Sequence, residues 1–320
     1  METILSIIIP YYDAEKTIER TLMSIQKMKR DSFFLFDVVI IDDGSSTVFP
    51  KNLLNNYDFV CKSYRTENNG PLLARCFGIE KTNNEYVYFL DSDDELCDTF
   101  FIDFCEQYRE KRADIILVDF YKHGNITYEN SERPQTIDDD YYIRHLAGVA
   151  DLGYAVTQIF KRTLFTSSIK NELAQNKVRF SEDLLFWIKI FQQNRNYSSL
   201  KCPAYIYNVS SNSASTSFDY LKICDIVHVL NERFNFVLKY GKRYNSGCFL
   251  DDVVSQVCYL RKIISFHIAK KEKAKCLQIF QNINFIDEMV KRKTLSLSLQ
   301  NKLFFWIIKT ERRHFLKRSV

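Results

Sequence analysis

Glycine and proline are scarce in this chain, at 8 and 5 of 320 residues. That scarcity excludes collagen-like repeats and long flexible linkers. Cysteine is present but never in a paired motif. The nine cysteines (Cys61, Cys76, Cys97, Cys105, Cys202, Cys224, Cys248, Cys258 and Cys276) are scattered, odd in number and contain no Cys-x-x-Cys. Neither a zinc-site spacing nor a disulfide framework is there, so reduced thiols in a cytoplasmic protein are the expectation. His123 and His145 stand alone, without metal spacing, and read as structural or surface residues. No apolar run is long enough to span a bilayer. The first apolar run begins at Ile4 with no basic leader before it, and no signal peptide is expected. No Gly-x-Gly-x-x-Gly follows that run, which disfavours a dinucleotide cofactor. A formal net charge of +4 is too small to call for nucleic acid.

What is there is the composition of a folded globular protein, 46% hydrophobic and 26% charged. The length allows one large domain plus a smaller one. Tyr86-Val-Tyr-Phe-Leu90 is apolar and short enough for a buried strand, and it ends abruptly in Asp91, Asp93 and Asp94, with Glu95 close behind. Three carboxylates at the mouth of a buried strand repel one another and cost desolvation energy. A cation would offset that cost. Mg²⁺ or Mn²⁺, each taking one or two carboxylates and completing its shell with phosphate and water, is one reading. An acidic turn that caps a following helix with solvated charges is the other.

Taken in order, the chain alternates. Ile4-Leu-Ser-Ile-Ile-Ile9 is a near-continuous β-branched run, as in a strand buried on both faces. Pro10 to Asp13 breaks it, and Ala14 to Met28 carries Ile18, Leu22 and Ile25 at helical spacing. Asp37 to Ile41 reads as a second buried strand, Phe59 to Tyr64 as a third, Leu72 to Glu80 as a helix, Phe100 to Arg112 as another, and Asp114 to Val118 as a further strand. Strand and helix in alternation predict a parallel, doubly wound α/β sheet. Such sheets take ligands beyond the carboxyl ends of their strands. Pro10–Tyr12, Asp42–Asp43 and Asp91–Asp93 all fall at those ends.

Four of these stretches carry a resemblance. Ser6-Ile-Ile-Ile-Pro-Tyr-Tyr-Asp-Ala-Glu-Lys16, Val39-Ile-Ile-Asp-Asp-Gly-Ser45, Asn69-Gly70 with Ala74-Arg75, and Phe89-Leu-Asp-Ser-Asp-Asp94 resemble the family 2 glycosyltransferases in order, spacing and strand-end context. The resemblance covers about the first two-thirds of the chain. It implies an inverting enzyme on the GT-A fold, a Rossmann-like, mostly parallel sheet flanked by helices that binds a nucleotide-diphosphosugar. It also implies roles. Pro10 and Tyr12 would line the base pocket, and Asp42 and Asp43 would read the base, with Asp43 accepting from a uracil ring N–H. Arg75 would approach the ribose or diphosphate. Asp91 would face the ribose and share the metal, Ser92 would lie against the donor, and Asp93 would hold Mn²⁺ or Mg²⁺. Asp13 stands where the family often has Asn, and both residues cap a helix. Pro71-Leu-Leu73 departs from the small residues usual in that loop.

Phe180-Ser-Glu-Asp-Leu-Leu-Phe-Trp187 resembles the family's acceptor-side Glu-Asp motif. By that resemblance Asp183 is the base that takes the acceptor hydroxyl's proton, and Glu182 orients a neighbour or touches the metal. Ser181-Glu-Asp also reads as a plain helix cap above an apolar face of Leu184, Leu185, Trp187 and Ile188, and both readings hold together. Tyr207 to Ser215 resembles a loop that closes over the diphosphate, with Ser213 and Ser215 donating to phosphate oxygens. The basic residue that many relatives carry near Asn208 is missing, and a solvated Ser-rich linker reads nearly as well.

From about Asp219 the pattern is helical, with Ile223, Ile226, Val227 and Leu230 on one face and Val253, Val254, Val257, Leu260 and Ile264 on another. Toward the end Lys291, Arg292, Lys293, Lys302, Lys309, Arg312, Arg313, Lys317 and Arg318 surround the apolar Leu303 to Ile308. Such a basic amphipathic helix suits an anionic membrane surface, or packs on the catalytic domain and solvates its basic side. The division expected is therefore 1–218 as the catalytic domain (nucleotide-sugar half about 1–120, acceptor half about 121–218) and 219–320 as a helical region. The function implied is metal-dependent, inverting transfer from a UDP-sugar to a glycan or polyprenol-linked acceptor in surface polysaccharide assembly, at the cytoplasmic membrane face. A nucleotidyltransferase of similar fold would want a Gly-rich basic loop where Pro10 to Asp13 stands, and a non-catalytic membrane-associated scaffold is the reading from another class.

Overall fold

The computed structural model describes residues 1–122, 126–127, 137–147, 153–176, 178–191, 195–208, 218–240, 246–266, 268 and 270–279. The chain forms two compact units. One comprises 1–139, 152–178 and 189–211, and the other 140–151, 179–188 and 212–320.

The first unit is built on strand β1 (Glu2–Tyr11), whose residues Ile4 to Ile9 are buried without alternation. A strand can bury both faces only where helices cover both sides of its sheet, and a run of Ile and Leu is what that environment selects. Each such side chain contributes roughly 1.5–3 kcal/mol by leaving water. β2 (Phe34–Asp42) and β3 (Val60–Arg65) extend the sheet on one side, and β4 (Tyr86–Phe89) lies on the other. β1 pairs with β2 and β4 in parallel, as β2 does with β3. β9 (Gln158–Lys161) then runs antiparallel to both β4 and β6 (Ile115–Leu117), and β10 (Tyr197–Ser199) pairs in parallel with β6. The order is β10-β6-β9-β4-β1-β2-β3, six strands pointing one way and β9 the other. The alternation of strands and helices predicted the parallel majority. The reversed β9 was not among the strands read from sequence.

Between these strands run α1 (Ile18–Lys27), α2 (Pro71–Glu80) and α3 (Phe100–Glu110). α1 buries Ile18, Leu22 and Ile25, a single stripe at helical spacing. α2 begins on Gly70, at φ 91°, with Pro71 in its first turn, where a missing N–H costs nothing. A smaller sheet, β5 (Glu95–Leu96) antiparallel to β11 (Tyr205–Tyr207), with β7 (Phe120–Lys122) and β8 (Ile126–Thr127) beyond, follows the acidic turn. Between β9 and β10 the chain forms α5 (Ser167–Asn176).

The second unit is helical. It holds most of α4 (Asp139–Ala147), the start of α6 (Glu182–Ile190), and α7 (Tyr220–Tyr240), α8 (Ser246–Phe266) and α9 (Lys270–Ile279). Ile223, Val227, Leu230 and Phe234 of α7 pack with Val257, Leu260 and Ile264 of α8 and Cys276 and Ile279 of α9. Among the described residues no helix is long and apolar enough to cross a membrane. The basic stretch 291–318, His123, and the side chains of His145, Val253 and Val254 lie outside the described residues.

Candidate active site

The register of the sheet sets the carboxyl ends of β1, β2 and β4 side by side. Tyr11 stands opposite Asp42, the Asp43 amide donates to the Tyr11 carbonyl at 2.9 Å, and the Leu90 amide donates to the Ile8 carbonyl at 3.0 Å. The loops beyond these ends are tied to one another by side chains rather than by sheet hydrogen bonds.

Asp13 makes the first tie. It takes left-handed backbone (φ 45°), a conformation that Asp and Asn tolerate best after Gly. Its carboxylate accepts from the Ser46 amide at 2.7 Å and the Ser46 hydroxyl at 3.2 Å, and its own amide donates to Ser45 Oγ at 3.1 Å. The expectation that Asp13 caps a helix is corrected by this geometry. The cap position of α1 is Thr17, no side chain caps it, and Asp13 clasps the next loop instead.

Asp42 and Asp43 make the second. Asp42 Oδ1 accepts from the Ser45 amide at 2.9 Å, and Oδ2 accepts from the Phe49 amide at 3.1 Å and Arg65 Nη1 at 2.6 Å. Burial alone would raise this carboxyl, but those amides and the guanidinium outweigh it and hold it below the usual range. Asp43 Oδ1 accepts from the Asn69 amide at 3.0 Å and Oδ2 from the Gly70 amide at 2.8 Å, so Asp43 fastens Asn69-Gly70 to the end of β2. Gly44 between loop and strand sits at φ 74°, and a Cβ there would lie 2.7 Å from the Asn68 amide nitrogen.

Arg75 makes the third. It is 4% exposed, and its Nη2 donates to Asp91 Oδ1 at 2.7 Å. The resemblance sets Arg75 at the ribose or diphosphate, and in the fold it stands bonded to Asp91, beside the strand end. The acidic turn also departs from expectation at Asp94. Rather than facing the strand mouth with its neighbours, Asp94 is 1% exposed and turned inward. Its carboxylate accepts from the Tyr205 hydroxyl and from the Asn208 amide at 2.7 Å. Burial pushes this carboxyl up to about 7, the charges of Asp91 and Asp93 add to it, and the two hydrogen bonds work the other way. The repulsion that called for a cation is thus partly relieved inside the chain, by Arg75 at Asp91 and by Tyr205 at Asp94.

Asp93 remains. It is partly buried, and burial, then the charge of Asp91, raises its carboxyl above the ordinary value. Among the described residues no other residue donates a hydrogen bond to its carboxylate, while Arg20 and Asn208 bond its carbonyl at 2.5 and 3.2 Å. The described residues contain no group of three or more His, Cys, Asp or Glu side chains placed to hold a metal. Asp93 and Asp91 are two hard oxygen donors on one turn, the donor type that Mg²⁺ or Mn²⁺ takes one or two at a time beside phosphate and water.

Of the remaining expected residues, Pro10 is partly buried and Tyr12 is 51% exposed beside the first loop. The Ser92 carbonyl accepts from Thr21 Oγ1 at 3.1 Å. Glu182 and Asp183 open α6 in the helical unit. Ser181 before them is at φ 59°, and the Arg179 and Phe180 amides donate to Asp225 at 3.0 and 3.2 Å. Ser213 and Ser215 lie outside the described residues. Sequence reading missed Arg20, Thr21, Arg65 and Tyr205. Arg65 ends β3 at the same sheet edge, and the strand-end rule that picked Asp42 would have found it. Tyr205, one of two tyrosines in a three-residue strand, carried no signal.

The sequence profile of glycosyl transferase family 2 matches residues 6–170, which include all four strand-end motifs. The chain is 23% identical over 272 residues to EpsJ of Bacillus subtilis, an uncharacterized glycosyltransferase, covering 81% of this chain and 76% of EpsJ. It is 24% identical over 204 residues to TarP of Staphylococcus aureus, a poly(ribitol-phosphate) β-N-acetylglucosaminyltransferase, covering 60% of this chain and 59% of that one. The chain thus spans less than two thirds of TarP. Among solved structures, residues 1–349 of S. aureus TarS superpose with a TM-score of 0.68 at 19% identity, over 97% of this chain and 88% of that one. The same TarS piece crystallised with UDP-GlcNAc superposes with a TM-score of 0.63. That likeness confirms the GT-A fold. With half the chain matched by the profile and its motifs assembled at one sheet edge, the chain belongs to glycosyl transferase family 2.

Proposed function

We propose that this glycosyltransferase is a metal-dependent, inverting enzyme that moves a sugar from a UDP-linked donor to a hydroxyl of a glycan or lipid-linked acceptor in surface polysaccharide assembly. One observation carries the reading. Asp13 joins the first motif to the second, Asp43 joins the second to the third, and Arg75 joins the third to the fourth, so four stretches far apart in sequence form one hydrogen-bonded rim. A rim so fixed is preorganised for a polar ligand at the strand ends. The TarS complex with UDP-GlcNAc supports a UDP-sugar donor, and the name of TarP supports a surface-polymer acceptor.

In this reading Tyr12 and Pro10 flank the base, and Asp43, held at the end of β2 by the Asn69 and Gly70 amides and the Thr66 hydroxyl, accepts from its ring N–H. Asp42, bonded through both oxygens to its own loop and to Arg65, shapes the pocket. Asp91, oriented by Arg75, accepts from a ribose hydroxyl, with Ser92 against the donor. Asp93 and Asp91 would hold a divalent cation, whose chemistry there would be to supply positive charge to the departing diphosphate. Asp183 takes the acceptor hydroxyl's proton, the acceptor oxygen bonds to the anomeric carbon, and the bond from that carbon to the diphosphate oxygen breaks with inversion. Glu182 orients the acceptor side.

Calorimetric titration of UDP, then GDP, with and without Mn²⁺ tests this. The expected result is Mn²⁺-dependent UDP binding that Asp93→Ala abolishes, while Asp183→Asn keeps binding and loses transfer. Preference for GDP would overturn the role of Asp43, and absence of binding to either nucleotide would overturn the donor site.

A further inference from the structure

The turn Asp91–Asp94 is held from three sides. Its carbonyls are all engaged. The Asp91 carbonyl accepts from the Asp94 amide at 3.2 Å, and that of Ser92 from Thr21 Oγ1 at 3.1 Å. The Asp93 carbonyl accepts from Arg20 and Asn208, and that of Asp94 from Thr21 Oγ1 at 2.7 Å. Two of these donors, Arg20 and Thr21, sit on α1, and Asn208 follows β11. Asn208 also donates through Nδ2 to Glu95 at 3.2 Å. Asp94 is the member of the turn whose side chain points away from the strand mouth, into Tyr205 and the Asn208 amide. Its two carboxylate oxygens therefore bond two residues of one short segment, and that segment's own side chain returns to the turn.

We propose that Asp94, with Tyr205, is a positioning pair: it fixes the β11 end against the acidic turn and thereby sets where Asp93 and Asp91 present their carboxylates to the metal-bound diphosphate. The pair touches no substrate and acts through the turn. This rests on the reading of Asp93 and Asp91 as the cation's ligands. Displacing a carboxylate by a fraction of an ångström weakens a Mg²⁺ or Mn²⁺ site, because these small ions demand near-regular geometry.

The experiment measures UDP affinity by calorimetry, with and without Mn²⁺, in wild type, Tyr205→Phe, Asp94→Ala, the double variant and Tyr86→Phe. Tyr86 supplies the control, since its buried hydroxyl bonds the Ala113 carbonyl at 2.6 Å, away from the turn. Tyr205→Phe should weaken Mn²⁺-dependent UDP binding about tenfold, the loss expected when a hydrogen bond to a buried carboxylate goes. Tyr86→Phe should lower thermal stability comparably and leave that affinity within about twofold. Asp94→Ala, which also removes the Asn208 bond, should weaken binding at least as much, and adding Tyr205→Phe to it should cost nothing further, because the bond that Tyr205 makes is already gone. If Asp94→Ala fails to fold, Tyr205→Phe against Tyr86→Phe still decides. Wild-type binding that Tyr205→Phe leaves unchanged, or a loss equal in Tyr86→Phe, overturns this inference alone. Absence of Mn²⁺-dependent UDP binding in wild type overturns the donor site, and this inference with it.

Discussion

Asp37 of β2 faces Ser6 of β1 at the end of the sheet opposite the acidic turn, and it accepts from Ser6 Oγ at 2.5 Å and Asn84 Nδ2 at 2.9 Å. Burial raises its carboxyl above the ordinary 3.8, more than Ser6, Lys62 and Asn84 lower it. A carboxyl whose value is raised on folding binds its proton more tightly in the native state. Its contribution to stability is complete below 3.8 and is lost as pH rises through the raised value. Asp37→Asn, which keeps an acceptor for Ser6 and cannot ionise, should therefore gain stability relative to wild type as pH rises from about 4 toward neutrality. Melting temperatures of both proteins across that range check it, and a constant difference between them would refute it. The same scale shows why site chemistry was only half legible. Asp91 and Asp93 announced themselves as carboxylates after a buried strand. The inward turn of Asp94 did not, because its partners Tyr205 and Asn208 lie 111 and 114 residues away, and no local pattern encodes that pairing.

The elements were read where burial wrote a long signal. β1 and β2 are apolar runs that only a two-sided core explains, and the structure extends them to Glu2–Tyr11 and Phe34–Asp42. β9 is four residues, Gln158–Lys161, too short for any period, and its direction follows from the chain's return rather than from composition. How closely α2 lies on the sheet was equally hidden, and one glycine fixes it. A Cβ on Gly78 would come within 2.4 Å of Ile8 Cγ2, with Ile8 Cδ1 and Ile41 Cγ1 at 3.3 and 3.4 Å. Ile8 is fully buried and β-branched, so its Cγ2 cannot swing away without a poor rotamer. Overpacking of this kind costs about 1–3 kcal/mol, against about 1 kcal/mol gained by replacing a helical glycine with alanine. The clash wins. Gly78→Ala should lower the urea midpoint with an unchanged m-value and leave far-UV circular dichroism as it is. A midpoint at or above wild type would show that α2 can move off β1 at little cost.

At the scale of the molecule the helical pattern that begins near Asp219 marks α7, which starts at Tyr220. It does not by itself say which other segments share that core. The helical unit takes in 140–151 and 179–188 as well as 212–320. Asp225 of α7 accepts from the amides of Arg179 and Phe180, the Lys222 ammonium lies 5.2 Å over the Phe180 ring, and Phe180 meets Phe218 edge to face at 6.1 Å. Trp187, just beyond, is fully buried. A chain cut after residue 218 would keep Phe180 and Trp187 but lose Asp225, Lys222 and the packed faces of α7 to α9. Two backbone amides would be left without their carboxylate, and the Phe180 ring without the ammonium over it. The loss of these two hydrogen bonds to a partly exposed carboxylate costs about 0.5–1.5 kcal/mol each before any apolar term, and exposed apolar faces add an aggregation hazard. The 1–218 fragment should therefore melt at lower temperature and over a broader range than the full chain, and bind a hydrophobic dye that the full chain does not. Cooperative melting of the fragment at the full chain's temperature would show that 179–188 keeps its structure without α7 to α9. In that case variants in α7 should leave transfer untouched.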